Sequence, residues 1–165
     1  MKVLGIDPGT ATVGYGVVER AGRLGSAAKL VECGVLRTRP GEPLQRRLAE
    51  IHAGLHELIQ RHHPDVLAVE GIFYAANVRT TMVLGHARGV ILLAGAQAGL
   101  PLAEYSPALV KKTVVGRGAA LKPQVGYMVA KLLQLRSAPT PADAADAVAV
   151  ALTHLLTGPL RGNGR

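Results

Sequence analysis

Two short apolar runs in this chain each stop on a carboxylate, and that pair constrains the possible folds more than any other feature. The first, "KVLGID" (2–7), ends on Asp7 and passes straight into Pro8-Gly9; the second, "DVLAVE" (65–70), ends on Glu70 before Gly71. Runs this short, rich in Val, Leu and Ile and bounded by turn residues, read as buried strands. A charge at the end of a buried strand is costly unless a cation or a proton meets it. Singly, Asp7 is good Asp-Pro-Gly turn chemistry and Glu70 is a solvated strand end. The same ending on both strands points to a shared purpose.

The rest of the chain supplies a sheet to hold them. Residues 13–20 ("VGYGVVER") and 29–38 ("KLVECGVLRT") alternate as strands, so the first forty residues read as an antiparallel meander. From Leu44 to His62 the apolar positions recur at helical spacing, and Pro64 ends that helix. A small-residue helix is predicted over 77–98 and a fifth strand over 100–105. Ser106-Pro107 supplies a cap and a proline at the first helical position, opening a short helix with Lys111 and Lys112. Another helix covers 123–135, and Thr140-Pro141 repeats the cap-plus-proline signal before a last helix to about Leu156. This order gives an α/β fold, a five-stranded mixed sheet flanked by helices. A crossover connection lays strand 65–70 parallel to strand 2–7. Residues 1–157 read as one domain and 158–165 as a flexible tail.

Strands so placed, ~5 Å apart, bring Asp7 and Glu70 together at their carboxyl ends, where open α/β sheets bind ligands. The last helix, "ADAADAVAVALTHLL", adds Asp143 and Asp146, three apart on one face. Asp143 lies in the first turn, where the helix dipole favours a carboxylate; the alanines around Asp146 let the helix come close to the sheet. At an effective dielectric of about 20, each like-charged pair ~5 Å apart costs ~3 kcal/mol. Protons or a divalent cation must offset that. Oxygen-only ligands favour Mg²⁺ or Mn²⁺ over zinc. Two such ions ~4 Å apart clamp the attacking and leaving oxygens of a phosphoryl displacement.

Charge identifies the substrate class. Nineteen Lys and Arg against eleven Asp and Glu give a net charge of +8, which attracts polyanions, nucleic acid above all. The lone cysteine, Cys33, excludes an internal disulfide and a thiolate metal cage. No run approaches the ~20 apolar residues of a membrane span, and no secretory pattern is seen at the N-terminus. A cytoplasmic protein without a membrane partner is expected.

Five stretches in order, "GIDPGT…GYGVV", "VEGIFYAAN", "LGHARGV", "VKKTVVGRGAALKPQV" and "ADAADAVAVALTH", resemble the bacterial RuvC family of Holliday-junction resolvases from about residue 2 to residue 155. The resemblance implies a ribonuclease H-like fold and a homodimer. It also implies Mg²⁺-dependent symmetric nicking of two opposed strands of a four-way DNA junction, leaving 5′-phosphate and 3′-hydroxyl ends. It assigns Asp7, Glu70, Asp143 and Asp146 to the catalytic metal set, with two Mg²⁺ ions and Mn²⁺ as a substitute. Phe73 matches an aromatic placed against opened junction bases, where stacking suits an unpaired base. Lys111 and Lys122 match phosphate-binding lysines; Lys112, Arg117 and Arg79 are further candidates for DNA contact. Pro123 stands where the family has a serine, which bears on the shape of that loop. The resemblance also implies dimer contact through helix 77–98 and partnership with the RuvA–RuvB branch-migration complex.

Other signals lead nowhere. His52 and His56 are four apart, but "HELIQ" has Gln60 where a zinc-protease motif needs histidine; these and His154 read as partly exposed helix residues. The glycines of "GYGVV" lack the following helix of a dinucleotide site. Three rival readings remain. A sugar-kinase-like phosphotransferase shares "DPGT" but needs a second lobe, a YqgF-type nuclease acting on RNA shares "GIDPGT", and a non-catalytic DNA-binding module needs only the charge.

Overall fold

The computed structural model describes residues 1–9, 11–20, 27–71 and 77–158. Five strands, β1 (Lys2–Asp7), β2 (Thr12–Arg20), β3 (Ala28–Arg37), β4 (Val66–Glu70) and β5 (Leu102–Tyr105), form one sheet in the order β3-β2-β1-β4-β5. β1–β2 and β2–β3 are antiparallel; β1–β4 and β4–β5 are parallel. β1 and β4, the two strands that end on carboxylates, are thus neighbours pointing the same way, with Ile6 opposite Val69.

Side-chain alternation splits the core into two layers. Leu4, Ile6, Val13, Val17, Leu67 and Val69 face α1 (Leu44–His62) and α2 (Val78–Gln97), meeting Ile51, Leu55, Leu58 and Ile91. Val3, Val18 and Ala68 face α5 (Ala142–Thr157), with α3 (Pro107–Val115) and α4 (Lys122–Leu132) beside it. α5 is the buried axis of this layer: Ala144, Ala145 and every residue from Ala147 to Leu155 are buried.

Three glycines let α5 lie there. A methyl group added at Gly5 would strike the Ala147 carbonyl oxygen, one at Gly14 the Asp143 carbonyl oxygen, and one at Gly16 the Val148 side chain and backbone. Gly5 lies opposite Gly16 and Asp7 opposite Gly14 across the β1–β2 pair, so these positions form one flat track on which the helix backbone rests.

The ends of elements differ in detail from the spacing-based expectation. Asn77 caps α2 by accepting from the Arg79 and Thr80 amides, and Ser106 caps α3 by accepting from Leu109. Thr140, by contrast, does not cap α5. The helix begins at Ala142 with Pro141 in the capping position, no side-chain cap bond is made, and the Thr140–Pro141 peptide is cis. α4 stops at Leu132 because the chain turns through Gln134 at φ 55. No helix among the described residues is long and apolar enough to cross a membrane. Of the expected tail, residues 159–165 lie outside the described residues.

Candidate active site

β1 delivers Asp7 and β4 delivers Glu70 at the same end of the sheet, one residue past their last shared register pair. α5 starts over Gly14, so its first turns carry Asp143 and Asp146 to the same point. One carboxylate oxygen from each of Asp7, Asp143 and Asp146 lies within 4.8 Å of the others. Asp7 and Glu70 share a side-chain hydrogen bond. All four acids of the sequence-based set converge, as the pairing of β1 with β4 requires.

The electrostatics are those of a site short of positive charge. Burial first, then the neighbouring charges of Glu70 and Asp146, push the Asp7 carboxyl up to about 8. Burial also raises Glu70. Protonated Asp7 therefore donates to Glu70 at neutral pH. A divalent cation would displace that proton and let the acids ionise together. The donor set, carboxylate oxygens within a few ångströms of each other, fits a hard ion such as Mg²⁺ or Mn²⁺ and offers nothing softer. Asp7, Asp143, Asp146 and Glu70 are the residues that would hold it.

A cleft of about 150 Å³ opens onto the acids, lined by Asp7, Glu70, Pro107, Val110, Lys111, Lys122, Val125 and Asp146. Its apolar walls come from α3 and α4. Lys122 Nζ lies 2.8 Å from Asp146 Oδ2 and 3.8 Å from Asp143 Oδ1, and the hydrogen bond to Asp146 raises the lysine's pKa. Lys122 occupies the first turn of α4, the end where the helix dipole disfavours a cation; the facing aspartates offset this. Pro123 follows it without disrupting the helix, because a proline in the first turn gives up no intrahelical bond. Gln124 accepts from the Leu121 amide at 2.9 Å and closes the turn. The unexpected Pro123 therefore leaves the loop able to present Lys122.

The other candidates are less closely placed. Lys111 lines the cleft, whereas Lys112 and Arg117 are exposed and do not. Arg79 lies exposed in the first turn of α2. Phe73 lies outside the described residues. Among the histidines, His52 is 2.8 Å from the Gln97 amide oxygen and His56 is exposed, so they form no metal pair. His154 departs from expectation. It is buried, with Nδ1 2.7 Å from the Tyr105 hydroxyl and the rings edge to face, and burial lowers its pKa. The spacing of α5 alone did not show that its whole circumference is covered, since alanine is compatible with either a buried or an exposed face.

The same architecture occurs in known proteins. A chain from Pelotomaculum thermopropionicum named crossover junction endodeoxyribonuclease RuvC is 51% identical over 154 residues, covering 93% of this chain and 92% of that one. One of the same name from Moorella thermoacetica is 52% identical over 162 residues, covering 98% and 95%. The solved structure described as Thermus thermophilus RuvC in complex with a Holliday junction substrate superposes with a TM-score of 0.87 at 40% identity, covering 94% of this chain and 93% of that one. The fold is thus ribonuclease H-like. With the family model for crossover junction endodeoxyribonuclease RuvC matching residues 3–154, the chain belongs to the RuvC family.

Proposed function

We propose that this chain is a Mg²⁺-dependent endonuclease that resolves four-way DNA junctions by nicking two opposed strands. The observation that carries the reading is the convergence of Asp7, Asp143 and Asp146 at one point, with two lysines in the same cleft, in a chain whose solved relative is described with a Holliday junction. A bound Mg²⁺ pair supplies an activated water and stabilises the charge of the leaving oxygen, giving 5′-phosphate and 3′-hydroxyl ends. The acids hold that charge in place. Lys122 and Lys111 draw the phosphodiester into the cleft, and the apolar walls Val110 and Val125 limit the water around it. Lys122 is within reach of any phosphate held at the acids because it already touches Asp146.

Junction resolution calls for two active sites, and α2 offers a face for a second copy. Ala87, Ile91 and Ala94 are buried against the sheet and Gly95 packs on Leu67. Val78, Met82 and Leu93 are exposed, and Gly85 and Gly89 have open space where a Cβ would stand. These five share one face at helical spacing. A two-fold pair built there suits a near-two-fold substrate. A cytoplasmic setting and work alongside the RuvA–RuvB complex follow from the family resemblance.

The test is cleavage of a labelled mobile four-way junction beside a linear duplex of the same sequence, with Mg²⁺ and with EDTA. Paired nicks in opposed strands, only on the junction and only with metal, are expected; an uncut junction, despite bound DNA and an intact fold, would overturn the reading. Lys122→Ala is expected to weaken junction binding and to reduce the dependence of log affinity on log salt by about one unit. Anisotropy titrations at several salt concentrations check this, and an unchanged slope would place Lys122 off the DNA.

A further inference from the structure

From Ser106 to Ala142 the chain has no Asp or Glu, but it carries Lys111, Lys112, Arg117, Lys122, Lys131 and Arg136. This wholly basic segment builds α3, α4 and their connections. Besides the acid cleft it forms a second, apolar groove of about 330 Å³, lined by Val115, Pro123, Gln124, Tyr127 and Met128. Tyr127 is 59% exposed in it, and Leu121 beside Lys122 is 68% exposed. Lys131 Nζ stands 5.5 Å from the centre of the Tyr127 ring. A contiguous exposed apolar surface ringed by charge marks a contact site rather than an accident of folding.

Its position selects the partner. Lys122 touches Asp146 and Pro123 lines the groove, so α4 runs directly from the catalytic acids to Tyr127. Five residues at ~1.5 Å rise each put Tyr127 ~7.5 Å farther along the helix axis, a short step along a strand held at the acids. The segment's charge suits a polyanion and opposes an acid-free or basic protein surface. A second copy already has a separate bare face on α2, which packs on the opposite side of the sheet.

We propose that this groove receives an unstacked base flanking the scissile phosphate, resting on Tyr127 and the Pro123–Met128 floor, with Lys131 facing the adjoining phosphate. The inference rests on the DNA-cleaving reading above. An aromatic beside basic groups holds an unpaired base without regard to its sequence, which suits a junction opened near the cut.

Tyr127→Ala, Tyr127→Phe and Lys131→Ala are tested in the full chain with a four-way junction carrying 2-aminopurine at successive positions around the cut site. Because the Tyr127 ring is exposed, Tyr127→Ala is expected to melt like the parent protein. It is expected to weaken junction binding by about tenfold, and to abolish a change in 2-aminopurine fluorescence at one flanking position. Tyr127→Phe retains both. Lys131→Ala lowers the salt slope by about one unit. If the parent protein cuts junctions and Tyr127→Ala binds them with unchanged affinity and fluorescence, the groove inference fails alone. Unchanged DNA binding with an altered sedimentation mass would make the groove a protein contact and likewise overturn it. A parent protein that neither binds nor cuts junctions would instead remove the nuclease reading, and the inference with it.

Discussion

Asp7→Asn is expected to abolish junction cleavage and, in the same protein, to raise the melting temperature in the absence of metal. Replacing one metal-binding carboxylate removes several kcal/mol of charge stabilisation from the transition state, and ~4 kcal/mol is about a thousandfold in rate. The stability effect has the opposite sign. Asp7 is pushed from 3.8 to about 8, so between those values the folded state keeps a proton that the unfolded chain releases. The unfolded state then binds fewer protons, and stability falls as pH rises through that window. A shift of about four units corresponds to as much as ~5 kcal/mol, or about 10 °C in a domain of this size. Calorimetry in EDTA should therefore find Asp7→Asn melting well above the parent protein at pH 8 and close to it at pH 4. Added Mg²⁺ should raise the parent protein and leave the variant almost unmoved. Equal melting temperatures at pH 8 would show that the acids are not in electrostatic conflict.

Gly14→Ala should be the most damaging of the single-methyl changes. The new carbon would occupy the place of the Asp143 carbonyl oxygen, and a helix backbone cannot rotate aside as a side-chain tip can. Overpacking of this kind costs about 3 kcal/mol, which lowers the melting temperature by about 6–12 °C. The shift of α5 that relieves the clash also draws Asp143 away from Asp7 and Asp146. Half-saturation of cleavage by Mg²⁺ should rise about 10- to 100-fold, the range seen when the support of a metal ligand is removed. Gly41→Ala, where nothing lies within 4 Å, is the control and should change neither quantity. A Gly14→Ala protein with parent-like melting and Mg²⁺ dependence would show that α5 has room to spare.

Much of the fold was legible from spacing. The 44–62 helix, the buried strands ending on Asp7 and Glu70, and their parallel pairing stand as the periodicity and crossover rule require. The convergence of the four acids followed from the same reasoning, because strand ends and an alanine-rich helix leave few other arrangements. Identity near one half over almost the whole chain separates the RuvC family from the shorter YqgF-type alternative and from a two-lobed phosphotransferase. The glycines of "GYGVV" were set aside as a failed nucleotide motif. Their purpose depends on what packs above them, which no local pattern records. His154 was likewise misjudged, since its burial depends on Tyr105 from a distant strand.

The sequence by itself determined which residues carry charge, where strands and helices run, and that two strand ends and one helix start must share a site. These depend on composition and on periods of two and 3.6, which act over a few residues. Only the tertiary structure decided that Lys122 lies against Asp146, that three glycines bear the backbone of α5, and that Asp7 keeps its proton near neutrality. Each depends on the distance between groups far apart in the chain and on the water excluded between them, and those are set by packing alone.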